Sequence, residues 1–71
     1  MKTLAEAKDF VRTLLAMAEG DGDAVRRMID RSERNARQFA TARGETYTSD
    51  DANEYALQRQ ALAELTGMEM A

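Results

Sequence analysis

The sequence of 71 residues contains no cysteine, no proline, no tryptophan and no histidine. Without cysteine there is no disulfide and no thiolate nucleophile. Without histidine the chain lacks the side chain that titrates near neutral pH and is the commonest metal ligand. A Ser-His-Asp hydrolase is therefore impossible. No stretch of 18 apolar residues exists, so no membrane span is expected. Charges near the N-terminus, at Lys2, Glu6, Lys8 and Asp9, stand where a signal peptide has its apolar run. A cytoplasmic protein is expected. Arginine outnumbers lysine, and with the alanine content this suggests a bacterial or phage source.

What is present favours helix. Alanine fills 13 positions, charged residues make up 32% and aromatics only 6%. Apart from alanine and tyrosine, the apolar residues are six Leu, five Met, two Val, two Phe and one Ile. Domains this small seldom stand on such a core alone and commonly rely on disulfides, a metal or a second chain. Disulfides are excluded and no metal or other cofactor is expected, so a dimer or a larger partner is the expected remedy.

Caps and periodicity predict an all-α fold, a small three-helix bundle with helices over about 4–19, 24–43 and 50–66, in one domain spanning 1–71. Thr3-x-x-Glu6 has the form of a capping box. Leu4, Ala7, Val11, Leu14, Leu15 and Ala18 follow at helical spacing, with Phe10 and Met17 beside them. Gly20-Asp21-Gly22-Asp23 breaks the helix, and Asp23 is the expected cap of the second. That helix carries a thin apolar stripe of Val25, Met28, Ile29, Ser32, Ala36, Phe39 and Ala40 and stops at Gly44. Thr48 or Ser49 caps the third, with Asp50 and Asp51 in its first turn, and Gly67 ends it. The third helix has two apolar seams. Ala52, Tyr55, Ala56, Leu62 and Ala63 form one; Leu57, Ala61 and Leu65, extended by Met68, form the other and are the candidate oligomer interface.

The distinctive feature is charge. Residues 24–43 hold six Arg against Asp30 and Glu33, although the whole chain has a net charge of −3. Arg27, Arg31, Arg34 and Gln38 recur at i, i+4, i+7 and i+11, on one stripe opposite the apolar one. Such a row of guanidiniums suits an acidic protein surface or phosphates. The alternative is a solvated face, neutralised by Asp30–Arg34 and Glu33–Arg37 pairs at i, i+4. Arg26, Arg27 and Arg31 are the members with least neutralisation. Nucleic acid is the less favoured partner, because the chain is acidic overall and no aromatic is interleaved with the arginines.

Three other features have plainer readings. Glu19-Gly20-Asp21-Gly22-Asp23 places carboxylates at alternate positions, as calcium loops do, but Ala24 stands where the sharp turn needs glycine. A polar turn is expected there. Arg59 interrupts the first seam of the third helix, either snorkelling to water or pairing with a carboxylate of another helix or chain. Tyr47 and Tyr55 are read as packing residues. Met68 and Met70 lie in a terminal tail of methionines suited to adaptable contacts or to fraying.

The expected function is a small non-enzymatic interaction protein: a regulator, adaptor or inhibitor of a larger protein. Its candidate partner-binding residues are Arg26, Arg27, Arg31, Arg34, Gln38 and Arg59. The alternatives are nucleic-acid binding by the same stripe and a structural homo-oligomer, such as a homodimer, built on Leu57, Ala61 and Leu65.

Overall fold

A computed structural model describes residues 3–67, which form three helices: α1 (Leu4–Met17), α2 (Gly22–Ala42) and α3 (Ser49–Thr66). There is no strand among them. The all-α three-helix expectation is met, with its boundaries shifted at the first turn. Met68 and Met70 lie outside the described residues.

Each helix start follows from a side-chain oxygen. Thr3 Oγ1 accepts from the Glu6 amide at 3.2 Å. Thr48 Oγ1 accepts from the Asp51 amide at 3.2 Å, and Asp51 Oδ2 accepts in return from the Thr48 amide at 3.0 Å, a complete capping box. These bonds hold the exposed Asp51 carboxyl below its ordinary pKa.

The α1–α2 turn departs from expectation. Asp21, not Asp23, caps α2, accepting from the Ala24 amide at 3.1 Å. The reason lies in the two residues before it. Glu19 adopts a left-handed φ of 56° and Gly20 one of 84°, which ends α1 at Met17 and starts α2 early. The Gly20 amide donates to the Leu15 carbonyl at 2.8 Å and the Glu19 amide to the Ala16 carbonyl at 3.3 Å, the paired bonds of a Schellman stop. A glutamate in that conformation is strained where glycine is not. Glu19→Gly is expected to stabilise the fold by about 0.5–1 kcal/mol. A rise in thermal midpoint checks this; a fall would show that the glutamate has a compensating role.

The core is small and shared evenly: Ala7 and Val11 from α1, Val25 and Ile29 from α2, Ala61 and Leu62 from α3. Leu4, Leu14, Leu15, Met28, Tyr55, Leu57 and Leu65 pack around it. α3 is the spine, lying against both other helices, while α1 and α2 meet least. As two apolar seams require, it meets two neighbours, and its buried residues are Gln58, Ala61 and Leu62, with Tyr55, Leu57 and Leu65 packed around them. The candidate oligomer residues take part in packing within the chain: Ala61 is fully buried, and Leu57 and Leu65 are partly buried against the core. Ala56, by contrast, is exposed.

Past Ile29 the apolar stripe of α2 fails. Ser32 is exposed, Ala36 and Ala40 are only half-buried, and Phe39 is 63% exposed, with the Arg43 guanidinium 6.0 Å from its ring centroid. Polar contacts hold this part of the helix instead.

Candidate functional site

Arg59 of α3 reaches across to α2. Its Nε and Nη2 donate to Asp30 Oδ1 at 3.0 and 2.9 Å, and Nη2 also donates to Glu33 Oε1 at 2.6 Å. Tyr47, in the loop before α3, donates its hydroxyl to Glu33 Oε2 at 2.7 Å. Arg37 lies 3.8 Å from the same oxygen, with its guanidinium 4.7 Å from the Tyr47 ring centroid. This clamp is charge-assisted and half-buried, and it links α2, α3 and their connecting loop. The hydrogen bonds from Arg59 and Tyr47 hold the Glu33 carboxyl below its ordinary pKa. Burial, together with the facing Glu33 carboxylate, pushes the Tyr47 hydroxyl up.

The clamp settles the geometry of Arg59. Its guanidinium is paired within the chain rather than snorkelling free, and so it is not presented to a partner as a bare cation. The clamp also alters the arginine stripe. Helical spacing allows Asp30 to pair with Arg34 four residues on, but its carboxylate is turned to Arg59, and no Asp30–Arg34 pair forms. The expected Glu33–Arg37 pair does form, at 3.8 Å.

Arg27, Arg31, Arg34 and Gln38 all lie exposed on one face of α2. None of the three arginines forms an ion pair with another described residue. The face runs about 16 Å from Arg27 to Gln38 at 1.5 Å per residue. Arg26 is exposed too, but at helical spacing it belongs to the row of Asp30, Glu33 and Arg37, off the stripe. Only α2 residues line the stripe, with Ala24, Met28, Asp30 and Asn35 at its edges. No second element walls it, so the stripe is an open face of one helix.

Two clefts flank this helix. One, of about 240 Å³, lies between α1 and α2, with Phe10, Leu14, Met28 and Asn35 on its walls and Gln58 of α3 reaching it from below. The other, of about 260 Å³, lies between the end of α2 and the start of α3, among Phe39, Arg43, Tyr47, Asp51 and Tyr55. A glutamine in a helix ordinarily reads as surface, and Gln58 belongs to no motif. Its only signal was its place between the two apolar seams.

Among the described residues no cluster of Asp or Glu is arranged to hold a metal ion, and Asp21 of the carboxylate-rich turn is used as a helix cap. No helix among them is long and apolar enough to cross a membrane. No protein-family model, curated protein or solved structure matches the chain.

Proposed function

We propose that this chain is a non-enzymatic interaction protein, a regulator, adaptor or inhibitor, that binds an acidic surface of a larger protein through Arg27, Arg31, Arg34 and Gln38. One observation carries the reading. Asp30, the carboxylate at the edge of the stripe, is drawn to Arg59, and the three exposed guanidiniums of Arg27, Arg31 and Arg34 form no ion pair with a described residue. A guanidinium offers several fixed donors and is weakly hydrated, so it suits carboxylates at an interface. Steering by such a patch raises the association rate and weakens with salt.

The test is paired affinity capture from the source cells, with the wild-type chain and the Arg27→Glu/Arg31→Glu variant as baits. Both substituted side chains are exposed, so helicity by circular dichroism is expected to be unchanged. The expected result is an acidic protein retained by the wild type and lost from the variant. Identical captures by the two baits would overturn the proposal. A complex with duplex DNA at low salt, dissolving steeply as salt is added, would turn the stripe into a nucleic-acid site instead.

A further inference from the structure

We infer that the α1–α2 cleft is the anchor site of this same interface, receiving one apolar side chain from an acidic segment of the partner while the Gln58 amide hydrogen-bonds a polar group beside it. The inference rests on the reading of the arginine stripe and adds its specificity. Gln58 is only 5% exposed, yet its amide has no hydrogen-bond partner among the described residues. No side-chain polar atom there is sealed off without a bond, so the amide keeps its access through the cleft that it lines. The amide meets water through the cleft, and a bound polar group that replaces that water keeps the amide hydrogen-bonded.

Size and chemistry select the occupant. At about 240 Å³ the cleft is smaller than the roughly 300–1,000 Å³ usual for small-molecule sites. It suits a single large side chain, the kind of central anchor on which protein interfaces concentrate their energy. Its walls are apolar at Phe10, Leu14 and Met28, and Phe10 remains 41% exposed at the rim. The cleft is continuous with the stripe, since Met28, Arg31 and Asn35 line both. An apolar residue seated there therefore brings its neighbours against Arg31 and onward to Arg27 and Arg34. Charge complementarity requires those neighbours to be acidic.

The probes are three designed helical peptides: one glutamate-rich with a single leucine, the same peptide with alanine for that leucine, and the leucine peptide with lysines for its glutamates. Binding is followed by NMR on the full chain, using the Gln58 side-chain amide and the Phe10 ring. The leucine peptide is expected to shift both signals and slow solvent exchange of the amide. The alanine peptide is expected to bind roughly tenfold or more weakly, and the lysine peptide to bind least. Equal binding of the leucine and alanine peptides, with shifts confined to Arg27, Arg34 and Gln38, would overturn the anchor and leave the stripe standing. Equal binding of the lysine peptide would overturn the acidic occupant. Binding of none of them would remove both the anchor and the stripe's recognition of acidic groups.

Discussion

Ile29→Ala is expected to destabilise the protein by about 2–5 kcal/mol, because it empties the largest side chain sealed in the core. Ile29 is 1% exposed and shares its cluster with only five other buried residues, three of them valine or leucine and two alanine. Little is available to close the gap. Domains hold roughly 0.05–0.15 kcal/mol per residue, so a chain of this length has about 4–11 kcal/mol in all. The substitution consumes a large share of that. Urea unfolding followed by circular dichroism reads the change as a lower midpoint with an unchanged slope. A loss below about 1 kcal/mol would show that the three helices are held mainly by something other than this cluster.

Arg59→Met is expected to cost about 1–3 kcal/mol and to change the response to acid. Methionine keeps much of the stem's packing but removes three donated hydrogen bonds, leaving Asp30 and Glu33 as facing carboxylates without their cation. The figure is held down because Asp30 is 43% exposed and its pair is screened by water. The sign of the pH effect follows from Glu33. Its carboxyl is held below the ordinary value of 4.5, so the folded state favours the ionised form. The stability this contributes is fully present above that value and is lost as pH falls through the lower folded pKa. In Arg59→Met most of that contribution is already absent, so the variant should lose less further stability than the wild type on acidification below about pH 4.5. Parallel acid titrations of unfolding free energy check this. Curves that fall by equal amounts would deny Glu33 its dependence on Arg59.

The helices themselves were legible in the sequence because caps and breakers are local. Thr3, Thr48 and Gly44 act where their neighbours alone say they should. By sequence Asp21 reads as a turn residue, because the strained φ at Glu19 carries no compositional signal. Spacing places Phe39 and Ser32 on the apolar stripe, but it cannot say where the neighbouring helix ends its cover. Arg59 read as a lone cation among apolar residues. Its partners, Asp30 and Glu33, are 29 and 26 positions away, and the helical repeat points them to nearer arginines. The stripe of Arg27, Arg31 and Arg34 was visible from spacing, whereas its freedom from internal neutralisation depends on that distant pair. Gln58 is faint in the sequence for a related reason: its place between two seams hints at burial, but only the placing of α3 against both other helices buries a polar residue there.

Asp30 decides between the two arrangements. Paired double-mutant cycles, Asp30→Asn with Arg59→Met and Asp30→Asn with Arg34→Gln, measure which arginine its carboxylate serves. Coupling of about 1 kcal/mol with Arg59, and additivity within about 0.3–0.5 kcal/mol with Arg34, is the predicted result. Coupling to Arg34 and none to Arg59 would make the stripe an internally paired, solvated face, and would remove the basis for a binding surface on α2.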